Sequence, residues 1–353
     1  MVENVRSFIR LADCAWYPQA VKTSPERKTR RLLPLCVFRY GWQMQSSRLP
    51  RFKRADAVAP MQLTARDHEI IRLVHRHRFL RSPQIVALLG EGSRAVLRRL
   101  QLLYHHGYLE RPRAQLDYYH QGGSRHIVYG LGNRGALLLK VESLNWSDKN
   151  RSVGRIFLEH ALLVSEVMVR IELACRETPH LRLVTDQELR VENEEKLIST
   201  SFHWNAKLHT GLTLGVIPDK VFALEQSSPT SPSKRAYYFL EADRGTMPIM
   251  RRSLLQTSFY RKLLAYEATW TQSVHKTRFG FHRFRVITVT MSAERVESLV
   301  SACSQLQRGH GLFLFADRTA LNNPDLLYSP IWKTGRLGEM DSLLKAPGTE
   351  SNP

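Results

Sequence analysis

Between Thr64 and Gly107 the apolar residues recur at helical spacing in three short runs, each with its own start and stop signal. Thr64-Ala65-Arg66-Asp67 opens the first. The Thr64 hydroxyl can accept from the amide three residues on, and Asp67 can answer. Ile70, Ile71, Leu73 and Val74 supply the apolar stripe. Ser82-Pro83 opens the second, with proline where its missing N–H costs nothing; Ile85, Leu88 and Leu89 face inward and Gly90 closes it. Ser93 caps the third, whose apolar positions Val96, Leu100 and Leu103 run on towards Gly107.

The other face of that third helix carries Arg94, Arg98, Gln101 and His105 at the same spacing. One face packs while the other offers guanidiniums to base edges or phosphates, which is what a recognition helix requires. Tyr108-Leu109-Glu110-Arg111 reads as a strand, residues 117–126 as a polar turn around Gly122-Gly123, and His126-Ile127-Val128-Tyr129 as the returning strand. Arg111, Arg113 and Arg125 are then available on a wing, and Gly135–Leu139 begins a closing helix. Residues 60–140 thus read as an N-terminal winged helix-turn-helix that binds double-stranded DNA, although such modules also bind protein.

Charge points the same way. Lys and Arg number 52 against 32 Asp and Glu, a net +20 that attracts polyanions. Residues 1–59 hold twelve of these cations against four acids, without sustained periodicity. They read as a basic, disordered arm whose clusters at 27–31 and 51–54 could follow phosphates. Alternatively they are a non-native extension, with Met61 as the start. Cys14, Cys36, Cys175 and Cys303 are widely spaced and form no CxxC pair, which argues against a zinc ribbon or a disulfide framework. Cys175 and Cys303 fall in helical apolar patterns and read as buried thiols. No run is apolar enough to span a membrane, and a cytoplasmic location is expected.

Residues 141–153 read as a polar linker, 154–335 as an α/β domain and 336–353 as a flexible tail. Within the α/β domain the pattern predicts a helix over Phe157–Cys175 and strands at Leu181–Val184, Gly215–Leu224 and Ala236–Asp243. A helix near Met250–Trp270, a strand at Phe284–Thr290, a helix near Ala293–Leu306 and a strand at Leu312–Phe315 follow. Asp219 follows Pro218 on one strand, and Glu241 ends the next. This order resembles the core of PD-(D/E)xK nucleases, whose carboxylates hold Mg²⁺ at a sheet edge. In that reading Asp219 and Glu241 are the metal ligands. The resemblance departs at the family's acid–spacer–lysine element, which here is Glu241-Ala242-Asp243, with Arg244 on the opposite face. Lys262 on the following helix is the side chain that could replace the lysine. In the alternative reading Asp219, Glu241 and Asp243 join a buried polar network with Arg244 or His160, on a non-catalytic scaffold without cofactor.

The chain also resembles the replication-relaxation family of bacterial plasmids and integrative elements. The resemblance rests on Leu63–Asp67 through Arg99-Leu100, on Gly107-Tyr108-Leu109, on Tyr129-Gly130-Leu131 with Gly135, and on Ile217-Pro218-Asp219. It continues in Phe239–Thr246 and Phe284–Thr290, covering about residues 60–335. Glu241-Ala242-Asp243-Arg244-Gly245-Thr246 is its most specific stretch. The resemblance implies a part in plasmid or mobile-element replication, DNA relaxation or transfer. The expected activity is therefore that of a DNA-binding accessory protein, with replication or transfer proteins, or a second copy, as further partners. A Mg²⁺-dependent endonuclease or nickase and a repressor of its own element are the alternatives.

Overall fold

In the computed structural model, residues 49–118, 126–141, 145–192, 202–227 and 233–345 are described. The 27–31 cluster and Arg125 lie outside them. The chain is mixed α and β throughout, with ten α-helices and three sheets among the described residues.

Helix α1 (Ala65–His77) starts on the expected box: the Thr64 amide donates to Asp67 Oδ2 at 2.7 Å, and Thr64 Oγ1 accepts from the Asp67 amide at 3.3 Å. Asp67 is fully buried and also takes Arg99 Nε at 2.8 Å, so one carboxylate caps α1 and ties it to a later helix. Burial opposes its ionisation, but Arg99 and the Thr64 bonds outweigh this and hold the carboxyl below the usual range. Strand β1 (Phe79–Arg81), α2 (Ser82–Leu89) and α3 (Ser93–His105) follow, and Gly90 closes α2 in the left-handed region. Gly92, not Ser93, stands at the cap position of α3. Strands β2 (Leu109–Glu110) and β3 (Val128–Leu131) complete a sheet of order β1-β3-β2. β1 is absent from the sequence reading because three residues carry too little periodicity. Ile70, Ile71, Leu73, Val74, Ile85, Leu88, Val96, Leu100 and Leu103 form the core beneath it, as their spacing implies.

After α4 (Asn133–Leu138), the segment read as a linker forms helix α5 (Trp146–Arg151). It is fastened to its surroundings: Ser147 and Asn133 exchange bonds of 3.0 and 2.8 Å, and Asn150 Nδ2 donates to Leu131 O at 2.8 Å.

Helix α6 (Arg155–Glu177) lies between two apolar bodies. Leu158, Ala161 and Leu162 pack with Phe79 of β1, and Val169 joins the α1–α3 core. Leu163, Val164, Val167, Met168, Ile171 and Cys175 pack under a larger sheet. The two bodies are clasped by buried Glu172, which meets His77 Nε2 at 3.1 Å, Arg76 Nη1 at 3.0 Å and Arg176 Nη2 at 2.6 Å. Burial alone would raise the Glu172 carboxyl; His77 and the two arginines bring it down to about 2.

The larger sheet takes β4 (Leu181–Val184), β7 (Lys220–Gln226), β8 (Lys234–Ala242), β9 (Phe284–Thr290), β10 (Phe313–Asp317), β11 (Trp332–Thr334) and β12 (Met340–Asp341). Its order is β12-β11-β10-β9-β8-β7-β4. β8, β9 and β10 run parallel, and the other pairs are antiparallel. Alternation along the strands sends Phe222, Tyr238, Leu240, Ile287 and Leu314 towards α6. Phe239, Val286, Phe313 and Phe315 face the opposite core, with α8 (Phe259–Thr271) and α10 (Ala293–Cys303). Cys175 and Cys303 are buried free thiols, one in each core.

Three boundaries differ from the sequence reading, and one helix is added to it. Gly215–Leu224 is not one strand: β6 (Thr213–Val216) pairs with β5 (Trp204–Lys207) in a separate hairpin, and β7 starts only at Lys220. Pro218 between them has no N–H to give a ladder. Asp186 and Glu188 lie in helix α7 (Asp186–Glu192), where Glu188 boxes Thr185 much as Asp67 boxes Thr64. Helix α8 begins at Phe259, after extended Ser258, and not near Met250. Residues 336–345 are not a frayed tail: β12 extends the sheet, Leu343 and Leu344 are buried, and the Leu344 amide donates to Leu327 O at 2.8 Å. Among the described residues no helix is long and apolar enough to cross a membrane.

Candidate functional site

Two places gather the residues singled out in the sequence. The first is the outer face of α3. Val96, Leu100 and Leu103 are fully buried, while Arg94, Leu97 and Arg98 are exposed and Gln101 is half-buried. These four stand at i, i+3, i+4 and i+7, hence on one stripe. Arg94, Arg98 and Gln101 make no hydrogen bond or ion pair with any described residue. Arg113, in the 3₁₀ turn after β2, is likewise exposed and unpaired. Many other arginines are engaged; Arg76, Arg99, Arg151, Arg182, Arg235, Arg295 and Arg318 all meet carboxylates.

Two residues assigned to this surface do not reach it. Arg111 is buried, with its guanidinium 4.0 Å from the Tyr104 ring centre and 5.1 Å from that of Tyr129. It donates to Tyr129 Oη at 3.1 Å and to the Arg51 carbonyl, so it holds the module together and is not available to a ligand. His105 is also buried, and its Nδ1 accepts from the Ala55 amide at 3.1 Å. Burial, then Arg111 and Arg54, push its imidazole below the usual value, which suits a neutral acceptor. Within the 51–54 cluster, Arg54 joins Arg151 on buried Glu110 at 2.8 and 3.0 Å. That part of the basic arm is therefore packed against the C-terminal end of α3.

The second place is the carboxyl end of β8. Glu241 is 2% exposed. Lys262 Nζ of α8 lies 2.5 Å from its Oε2, and Tyr266 Oη donates to its Oε1 at 2.6 Å. Lys262 therefore does reach in from the following helix. Burial pushes the Glu241 carboxyl up; Lys262 is pulled up by Glu241 against its own burial and stays an ammonium. Asp219 stands just before β7, its amide bonded to Leu240 O at 3.0 Å. Its Oδ2 accepts from the Ala242 amide at 2.7 Å, and its Oδ1 meets His160 Nε2 of α6 at 2.9 Å. The Asp219 hydrogen bond raises the His160 pKa against burial.

All four oxygens of Asp219 and Glu241 thus have donors. Among the described residues no three His, Cys, Asp or Glu side chains stand close enough to hold a metal ion. As arranged, the pair offers a Mg²⁺ ion no oxygen without a protein donor. An ammonium and a hydroxyl hold the oxygens of Glu241 that a cation would need.

The rest of the signature is structural in its contacts. Asp243 takes Arg295 Nε at 2.7 Å, Thr290 Oγ1 at 3.1 Å and the Gly245 amide at 3.2 Å. Arg244 turns to the other side and binds Glu159 and the Ile156 carbonyl. Gly245 adopts φ 75°, a left-handed conformation that explains glycine there. Thr246 follows in the bend. Of the two network partners offered by the alternative reading, His160 meets Asp219, whereas Arg244 meets none of the three carboxylates among the described contacts. Sequence reasoning missed Arg295, Tyr266 and Glu159, whose chain separation from their partners leaves no local signal.

The replication-relaxation family matches residues 71–283 of the chain. The chain belongs to that family. The match takes in α2, α3, Asp219, the Glu241–Thr246 signature and Lys262, and stops just short of β9. No curated protein and no solved structure matches the chain. Membership in the replication-relaxation family suggests a role in the replication or relaxation of a plasmid or mobile element.

Proposed function

We propose that the protein is a DNA-binding accessory factor in plasmid or mobile-element replication, relaxation or transfer, and that it docks duplex DNA through a winged helix formed by α1–α3 and β1–β3. The element order α1-β1-α2-α3-β2-β3, with sheet order β1-β3-β2, supports that reading. The observation that carries it is the stripe of α3: two arginines and a glutamine, exposed or half-buried and without partners among the described residues, in a protein that pairs many of its other arginines. Arg94 and Arg98 supply the charge, Gln101 can read a base edge, and Arg113 can reach a phosphate beside the groove. Filter binding across a salt series tests this. With Arg94, Arg98 and Arg113 on phosphates, log K falls against log [salt] with a slope of about −3. A flat line rejects phosphate-driven docking.

The sheet domain, in this reading, is a nuclease-like scaffold that does not cut. The closed Asp219–His160 and Glu241–Lys262–Tyr266 contacts favour that role over the endonuclease alternative. Supercoiled plasmid incubated with the protein and Mg²⁺ or Mn²⁺ is expected to stay supercoiled. Nicking that disappears with Asp219→Ala establishes the endonuclease instead.

A further inference from the structure

At the amino ends of parallel strands β8, β9 and β10, opposite the Glu241 end, a cavity of about 480 Å³ opens between α8 and residues 343–345. Its walls combine two features. The first is aromatic surface: Trp270 of α8 is 38% exposed at the rim, and Tyr237 is stiffened by stacking on Phe281 at 4.1 Å and 15°. The second is positive charge, since Arg235, Arg283, Arg285 and Lys345 line the cavity and no acidic residue among the described ones does. Asp341 nearby serves two of them, meeting Arg285 and Lys345 at 2.6 Å each. Arg235 is held by Glu192 and Glu225. Arg283 is exposed and has no partner among the described residues.

We propose that this cavity binds one unpaired nucleobase together with its phosphate. The aromatic faces offer stacking, Arg283 offers the phosphate its counter-charge, and the volume suits a single base rather than a double helix. The cavity shares no residue with α3 and does not depend on the duplex reading. A free nucleotide and an unpaired DNA strand present the same chemistry here.

The test uses the full chain, a fluorescein-labelled oligo-dT, unlabelled dTMP as competitor and a hairpin duplex as control. Arg283→Glu and Trp270→Ala each weaken oligo-dT binding about ten-fold, the scale of one lost phosphate contact or stacked base. Both leave duplex affinity unchanged. Trp270→Phe, which keeps a ring, retains most of the binding. Arg283 is exposed, so Arg283→Glu melts with the unmodified protein, whereas Trp270→Ala gives up the covered part of its ring and is compared at a temperature where it remains folded. Displacement by dTMP assigns a free nucleotide, and displacement by unlabelled oligo-dT alone assigns a strand; either supports the site. Absent oligo-dT binding, or binding indifferent to both substitutions, overturns it, whatever the duplex result.

Discussion

Arg94→Glu combined with Arg98→Glu is expected to lower duplex affinity by about two orders of magnitude at moderate salt and to flatten the salt slope by about two. The reasoning is electrostatic. Each substitution removes a cation from the one stripe of α3 that faces outward and replaces it with an anion facing the phosphates. Neither arginine has a partner among the described residues to strand, so no described contact is lost and the melting temperature stays put. Arg111→Ala behaves in the opposite way. It leaves two tyrosine rings and the Arg51 carbonyl without their cation, so stability falls. Any loss of DNA binding there tracks unfolding rather than contact. Unchanged affinity in the Arg94/Arg98 double variant would mean that the phosphate ladder lies against another surface.

The contrast between Arg94 and Arg111 shows what a sequence can and cannot disclose. Helical spacing is local, so the stripes of α1, α2 and α3, the Thr64–Asp67 box and the stop at Gly90 were all legible. The outward face of α3 was legible for the same reason, since Arg94 and Arg98 sit four apart, each two residues ahead of buried Val96 and Leu100. Arg111 was misjudged because its fate depends on Tyr104, Tyr129 and Arg51, which only the fold brings together. His105 went the same way through Ala55. In the sheet domain Leu181–Val184, Ala236–Asp243, Phe284–Thr290 and Leu312–Phe315 were read as strands that the fold contains, while β5, β11 and β12 went unread. Sheet order, and the break at Pro218 that moves β6 into a hairpin with β5, needed partners from elsewhere in the chain. Lys262 is an intermediate case. Its place on the helix after β8 made it a candidate for Glu241, but Tyr266, one turn further along α8, closes the same carboxylate and carried no sequence signal.

That closure bears on the signature itself, and Asp243→Ala measures how far it is structural. Asp243 is 6% exposed and joins the end of β8 to the first turn of α10 through Arg295, whose side chain is itself only 16% exposed. Deleting the carboxylate leaves Arg295 Nη2 with only the Met247 carbonyl, at 2.6 Å, and leaves Thr290 and the Gly245 amide without their acceptor. Breaking one side of a buried pair of this kind costs about 3 to 5 kcal/mol. Urea unfolding followed by tryptophan fluorescence should therefore show a midpoint well below that of the unmodified protein. Asp243→Asn keeps one acceptor oxygen, for either Thr290 or the Gly245 amide, while removing the charge, and is expected to fall between the two. At a temperature where Asp243→Ala remains folded, its duplex affinity should match the unmodified protein, because α3 is untouched. A loss below about 1 kcal/mol, no more than an exposed ion pair contributes, would contradict a structural role. The acid–spacer–acid stretch would then owe its place in the signature to something that Asp243 binds, not to the strand end that it holds.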